Sequence, residues 1–324
     1  MGDECVVNQA TDNRYELTLV TAFFDIGRKN WRGFERSVQN YIDNFTFWAR
    51  IKNHLIIYTE PTMVPIVFNI RKSFGLENKT TIIPIEDITQ LDNEVFLAMK
   101  EALANQLTVN FRVEPNNPES HNAMYNFIMY AKAIFLDDAV KRKLTNEMVA
   151  WIDFGFSHGG EYYINSEEFN FLWTVDIEKD KIHTFCIENP DDKPIWEVIR
   201  SMKTYFDGSS FIIPANLCNK LLVMWRRANL SMAACGFSDD DQTVMLMAYR
   251  MNSQLFKLYD ADGRWFKAVE LTANQKFTIK PKKAILIKPH RVSKTLAKQN
   301  LKNNNYLSSL QYFVLYVFQK VIGK

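Results

Sequence analysis

The chain has 324 residues, 47% of them apolar, and 39 Lys and Arg against 37 Asp and Glu give a formal charge of +2. That is enough to bury a full core, and it argues against a disordered chain. Four cysteines, Cys5, Cys186, Cys218 and Cys235, fall at no zinc-ligand or Cys-x-x-Cys spacing, so they read as reduced thiols rather than a disulfide scaffold or a structural metal site.

In chain order, residues 15–24 gather β-branched and aromatic side chains ahead of Asp25-Ile-Gly-Arg28 and predict a first strand running into a loop. Phe34, Val38, Tyr41, Ile42 and Phe45 repeat at helical spacing and predict a helix over residues 34–47. A second strand over 54–59 stops at Glu60-Pro61, a helix follows around 64–74, and residues 80–85 form a third strand. This alternation is the rhythm of a parallel α/β sheet, because each parallel neighbour needs a crossover. Helical spacing runs from Asp92 to Arg112, and the two prolines within residues 114–119 make a loop. Residues 120–139 form the clearest helix, with an apolar stripe of Met124, Phe127, Ile128, Ala131, Ile134 and Phe135.

Val149-Ala-Trp-Ile-Asp-Phe-Gly155 then reads as a buried strand delivering one acid, Asp153, to its C-terminal edge. Open α/β sheets bind ligands at that edge; an Asp that only starts a turn is the alternative. Beyond it come short strands over 168–173, 181–186 and 211–214 and a helix over 215–228. Gly236-Phe-Ser-Asp-Asp-Asp-Gln242 opens a further helix through Met251, its acids complementing the helix dipole. Ser238 is the expected N-cap, with Asp241 in the capping-box position. No internal repeat is present, and nothing within residues 1–300 is long and apolar enough to span a bilayer.

From Leu271 onward the chain holds eleven Lys and Arg and no Asp or Glu, leaving 28 basic against 37 acidic residues before it. Lys276, Lys280, Lys282, Lys283, Lys288, Arg291, Lys294, Lys298 and Lys302 precede a segment in which Leu307, Leu310, Phe313, Val314, Val317, Phe318 and Val321 share one helical face. This composition, over residues 276–324, fits a segment lying in an anionic membrane surface; a helix docked on the protein's own core is the alternative. The acidic body argues against nucleic acid as a partner. The N-terminus lacks the apolar core of a secretory signal, and Val6 stands where myristoylation requires Ser or Thr. The expected location is therefore cytoplasmic, peripheral to the inner face of the plasma membrane.

Five segments, Leu17-Thr-Leu-Val-Thr-Ala-Phe-Phe-Asp-Ile-Gly-Arg28, Leu55-Ile-Ile-Tyr-Thr59, Tyr125-Asn-Phe-Ile-Met-Tyr-Ala-Lys132, Trp151-Ile-Asp-Phe-Gly155 and Asp240-Asp-Gln242, resemble in that order the HtrL/YibB (WlaTC/HtrL) family. The resemblance covers roughly residues 15–290. It implies an α/β fold of GT-A-like, Rossmann type, with a mostly parallel sheet flanked by helices. It also implies a bacterial glycosyltransferase of lipopolysaccharide or other surface polysaccharide assembly, such as O-antigen or capsule. The implied organisation is an N-terminal extension over 1–14, a GT-A-like domain over 15–290 and a basic amphipathic tail over 291–324. Within the domain, 15–155 would bind the nucleotide-sugar and 156–290 the acceptor.

In such enzymes a strand ends in an Asp-x-Asp motif that holds the donor ribose and a divalent cation. The matching triplet here is Asp153-Phe154-Gly155, with the second acid missing. The resemblance accordingly implies Mn²⁺ or Mg²⁺ on Asp153, helped by diphosphate oxygens, water and His290, with His158 a competitor for the imidazole role. Thr21, Ala22 and Phe23 are implied nucleoside contacts. Arg28 is an implied phosphate ligand, or else a surface salt-bridge partner. Asn126 and Lys132 are implied donor contacts, with a snorkelling lysine as the alternative for Lys132. An acid at the later helix start would deprotonate the acceptor hydroxyl if the reaction inverts, with Asp241 the first choice and Asp240 the second. The implied partners are a nucleotide-sugar, most simply a UDP-sugar, and a glycan or lipid-linked acceptor. Loss of the second acid leaves a catalytically inactive, glycan-binding or scaffolding protein as the other reading.

Overall fold

A computed structural model describes residues 14–281, 297–298, 301 and 305–322. The chain divides into two compact units, Met1–Lys280 and Pro281–Lys324.

The first unit is an α/β fold. It begins β1 (Tyr15–Phe23), α1 (Val38–Trp48), β2 (Leu55–Thr59), α2 (Val64–Ser73) and β3 (Thr80–Pro84). Helices α3 (Asn93–Ala104), α4 (Gln106–Phe111), the single turn α5 (Pro118–His121) and α6 (Ala123–Lys141) then lead to β4 (Met148–Ile152). The remainder is β5 (Thr174–Val175), β6 (Ile182–Cys186), α7 (Ile195–Ser201), β7 (Ser210–Pro214), α8 (Cys218–Ala234), α9 (Asp241–Met251), β8 (Phe256–Asp260) and α10 (Ala268–Thr272). The sheet order is β3-β2-β1-β4-β7-β6-β8, with β5 pairing β1 off that path. Strands β3, β2, β1 and β4 are parallel, β7 is antiparallel to both β4 and β6, and β6 is parallel to β8.

Every residue of β2, β4 and β7 is buried because apolar layers cover both faces. Val20, Ile56 and Trp151 point to a layer that includes Phe127, Leu136, Leu221 and Val244 of α6, α8 and α9. Leu19, Ile57 and Ile152 point to the other, with Phe45 and Trp48 of α1 and Val67 of α2. Parallel pairing with Val20 opposite Trp151 puts the C-terminal ends of β1 and β4 on one edge.

Two sequence expectations shift for identifiable reasons. Helix α1 begins at Val38 rather than at 34, because the Ser37 side chain accepts from Asn40 N and Asn40 returns the bond, closing a capping box. The strand expected over 168–173 is instead a 3₁₀ turn at Ser166–Phe169 followed by an irregular stretch. There the Asn53 side chain bonds both the N–H and the C=O of Trp173, at 2.7 and 2.8 Å, so ladder pairing begins only at Thr174. Arg71 is fully buried and has no carboxylate partner among the described residues; its guanidinium donates to the carbonyls of Ala49, Ile51, Asn53 and Lys79 and to Thr80 Oγ1. It ties α2 to the chain on either side of it.

The second unit contains a helix over Tyr306–Ile322, and within it Ser309 Oγ donates to Ala297 O at 2.8 Å. Leu307, Leu310, Phe313, Val314, Val317 and Phe318 of that helix are exposed. Among the described residues no helix is long and apolar enough to cross a membrane. The side chain of Val321, residues 1–13 of the N-terminal extension, and Lys282, Lys283, Lys288, His290, Arg291, Lys294 and Lys302 lie outside the described residues.

Candidate active site

Strand β4 ends at Ile152, and the next residue, Asp153, is held at the sheet edge by a hydrogen bond from its N–H to Ser209 O at 2.8 Å. Its Oδ1 accepts from Trp151 Nε1 at 2.7 Å and pairs with Lys132 Nζ at 2.7 Å. Lys132 comes from α6, which Asn122 caps by accepting from Tyr125 N. The same Nζ lies 2.7 Å from Asp241 Oδ2, at the start of α9, and 2.9 Å from the carbonyl of Gly208, just before β7. Lys132 thus joins the two acids singled out in the sequence. Burial favours its neutral form, but the charges of Asp153 and Asp241 outweigh that and raise its pKa above the ordinary lysine value. Burial raises the pKa of Asp241, opposed by Lys132. Gly208 is required here, since a Cβ on it would fall 2.8 Å from Asp241 Cγ.

The three acids at the start of α9 go to three different partners. Asp239 forms a buried ion pair with Arg112 at 2.9 Å, and the other end of that guanidinium donates to Ser238 O. Asp240, not Ser238, is the N-cap, accepting from Gln242 N at 3.1 Å. The Ser238 hydroxyl instead accepts from Asn126 Nδ2 at 2.9 Å, so the capping-box expectation fails because the serine is already engaged. Glu119 of α5 carries a second carboxylate whose charge acts on Asp240. Burial and then Asp239 raise Glu119 to about 7, opposed by Arg112, and burial and then Glu119 raise Asp240. A folded-state pKa above the ordinary 4.5 means that protonated Glu119 stabilises the fold at low pH and that this contribution is lost as pH rises towards about 7. Thermal melts across that window are expected to show a steeper fall for the wild type than for Glu119→Gln; parallel curves would refute a raised Glu119 pKa.

The loop after β1 approaches this acidic helix start through aromatic side chains. Arg28 donates to Tyr41 Oη at 2.9 Å and to Phe34 O at 3.2 Å, and its guanidinium lies 5.8 Å from the Trp31 ring and 5.7 Å from the Tyr125 ring. The Tyr41 ring in turn stands 3.4 Å from where a Cβ on Gly155 would be, so Arg28 borders the Asp153 turn. Burial and then Asp240 and Glu119 raise the Tyr125 hydroxyl pKa, opposed by Arg28. The side chains of Phe23 and Phe154 stack on each other at 4.9 Å, and Phe154 also stacks on Phe45 at 4.4 Å, placing both rings in the core. A ligand at Phe154 and Gly155 would therefore meet backbone. Thr21 is buried with its hydroxyl unpaired, Ala22 is half-buried, and Asn126 is buried with Oδ1 unpaired.

A family model described as "Bacterial protein of unknown function (HtrL_YibB)" matches residues 15–274. The chain belongs to the HtrL/YibB family. It is 27% identical over 265 residues to Protein HtrL of Escherichia coli (strain K12), a match covering 77% of this chain and 90% of that relative. Among solved structures, mouse xyloside xylosyltransferase 1 in its apo form aligns at a TM-score of 0.42 and 12% identity, over 76% of this chain and 85% of that one. PaToxG glycosyltransferase aligns at 0.33 and 12%, over 75% and 73%. The family match contains both the Asp153 turn and the Asp241 helix start.

A divalent cation does not fit beside Asp153 as the residues stand. The ammonium of Lys132 takes the position between the carboxylates, and among the described residues no group of three or more His, Cys, Asp or Glu is arranged to hold a metal. His290, the other expected ligand, lies outside the described residues. His158 is engaged elsewhere: Nδ1 faces Glu161 Oε2 at 2.5 Å and Nε2 faces Arg36 Nη1 at 3.1 Å. Arginine cannot accept, so Nε2 is the acceptor and the proton sits on Nδ1. Burial, then Arg36, lowers the pKa of this imidazole.

Sequence reasoning missed Glu119, Arg112, Tyr125, Asp207 and Gly208. Asp207 is buried and accepts from the N–H groups of Ser209 and Phe266, both at 2.8 Å, which fixes the turn that presents the Gly208 carbonyl. Its signal was the Asp207-Gly208 pair ahead of an apolar strand.

Proposed function

We propose that this protein is a nucleotide-sugar-dependent glycosyltransferase of GT-A type, with its donor at the C-terminal edge of β1 and β4. The observation that carries the reading is the Lys132 ammonium, held at 2.7 Å between Asp153 at the end of β4 and Asp241 at the start of α9. It joins, in one charge cluster, the two places where such an enzyme needs donor and acceptor chemistry. About a third of the Asp153 side chain is exposed, against 3% for Asp241, so Asp153 is the carboxylate that meets the donor. Thr21, Ala22 and Phe23 bring the adjoining strand end to the donor through their backbone, and Asn126, bonded to Ser238, flanks it on α6. Arg28 supplies paired donors for the diphosphate.

In an inverting reaction the acceptor hydroxyl attacks the anomeric carbon, its proton passes to the Asp241 carboxylate, and the bond from that carbon to the diphosphate oxygen breaks. Burial raises the basicity of Asp241, which suits a general base. In a retaining reaction Asp241 and Asp240 position the acceptor instead. Arg28 balances the charge that develops on the leaving diphosphate, while Lys132 balances Asp153 and Asp241. The donor is taken as a UDP-sugar and the acceptor as a lipid-linked or lipopolysaccharide-type glycan at the cytoplasmic membrane face.

The test is nucleotide release from a panel of UDP-, GDP- and CMP-sugars. Turnover lost in folded Asp153→Ala and Asp241→Ala supports the reading. Absence of hydrolysis and binding with every donor sinks it and leaves the inactive, glycan-binding scaffold.

The membrane half of the proposal rests on the exposed apolar face of Tyr306–Ile322 and the eleven basic residues from Leu271 onward. Co-sedimentation with vesicles rich in anionic lipid is expected for the full chain, weaker with zwitterionic vesicles, and lost on deleting residues 303–324. Unchanged binding after the deletion would favour the helix docked on the protein's own core.

A further inference from the structure

We propose that Lys132 is the resident cation of this site and that donor turnover needs no divalent metal; the second clause rests on the glycosyltransferase reading, the first does not. A lysine ammonium has three protons to donate. Here all three have acceptors within hydrogen-bonding distance: Asp153 Oδ1 at 2.7 Å, Asp241 Oδ2 at 2.7 Å and Gly208 O at 2.9 Å. The ammonium is therefore coordinated completely by protein oxygens, and Lys132 is only 1% exposed.

The surroundings are shaped around it. Asp207 pins the turn that carries Gly208, and any side chain on Gly208 would collide with the Asp241 carboxylate. The Trp151 indole donates to the same Asp153 oxygen and lays its ring 5.5 Å from Nζ, adding the attraction of an aromatic face. A hard divalent cation wants six or more oxygens, several of them from carboxylates. Here two carboxylates and a carbonyl are already committed to a fixed positive charge, and Gly155 stands where the Asp-x-Asp pattern has its second acid. A metal held by the Asp153 oxygen that faces Lys132 would have to displace the ammonium, or sit against it unshielded. Lys132 thus does what a metal would do for these acids: it balances their charge and fixes their separation.

The experiment follows Mn²⁺ by electron paramagnetic resonance and by thermal melting of the full chain. With wild type, the expected spectrum is that of free Mn²⁺, and melting is the same in Mn²⁺ and in EDTA. Lys132→Ala empties the space between two carboxylates and a carbonyl; it is expected to take up one Mn²⁺ and to melt higher in its presence. Wild-type uptake of Mn²⁺ that is lost in Asp153→Asn overturns the proposal, as does a folded Lys132→Ala that takes up none. The wild-type measurement decides the matter even where Lys132→Ala does not fold. In the donor assay, turnover that persists in EDTA is expected, and turnover abolished by EDTA and restored by Mn²⁺ overturns metal independence while leaving glycosyl transfer intact. No turnover under any condition sinks the glycosyltransferase reading and leaves the Mn²⁺ result standing.

Discussion

Lys132→Met is expected to lower stability by about 3–5 kcal/mol, the range for removing one partner from a buried ion pair. The size follows from what stays behind. Asp241 is 3% exposed and loses the ammonium that opposes the effect of its burial, while Asp153 loses the neighbour that balances its own charge. Methionine replaces the apolar stem well, so the loss is one of charge compensation and not of volume. In a domain of this size the shift in melting temperature is on the order of 10 °C. Adding Asp241→Asn to Lys132→Met removes the stranded charge and should restore much of the loss, a coupling that a double-mutant cycle reads directly. A Lys132→Met protein that melts with the wild type would show that the ammonium and the two carboxylates are not paired in solution.

Asp241→Asn alone is expected to reduce kcat by roughly 10²–10⁴-fold, the usual contribution of a positioned general base, while leaving the donor KM near the wild-type value. The amide oxygen still accepts from Lys132, so folding and the donor edge survive and only the proton acceptor is lost. Asp153→Asn should separate from it by raising the donor KM, because Asp153 is the exposed member of the pair. Steady-state kinetics on both variants test the division of labour. Equal effects on KM and kcat in the two would mean that Asp241 acts only through Asp153.

The parallel half of the sheet was legible because β1, β2, β3 and β4 are short apolar runs that stop at turn residues, and α6 carries a long apolar stripe. Asp153 and the acids at Asp239-Asp240-Asp241 stood out for the same reason, since each marks an element end. What joins them did not stand out. Lys132 interrupts an apolar helix face and reads as a snorkelling lysine, and nothing in spacing along the chain shows that its partners lie on β4 and α9. Arg71 went unremarked in the helix around residues 64–74, and its guanidinium serves carbonyls from both flanks of α2. Ser238 was the natural cap by residue type, and its engagement by Asn126 could be seen only once α6 and α9 were side by side.

The antiparallel strand β7 has a consequence for synthesis of the chain. Lys132 and Asp241 lie 109 positions apart, and the edge that carries Asp153 is closed on one side by Ser209, which leads into β7. A nascent chain that has emerged only as far as β4 can pair β1 to β4 and cover them with helices. Its Lys132 then has one carboxylate, no Gly208 carbonyl and no Asp241. The cluster is completed only when β7 and α9 have been made and seated, so a proteolytic fragment ending between β4 and α9 keeps the paired strands β1 to β4 without the charge cluster. A complete charge cluster in this fold reports that the far half of the sheet has arrived.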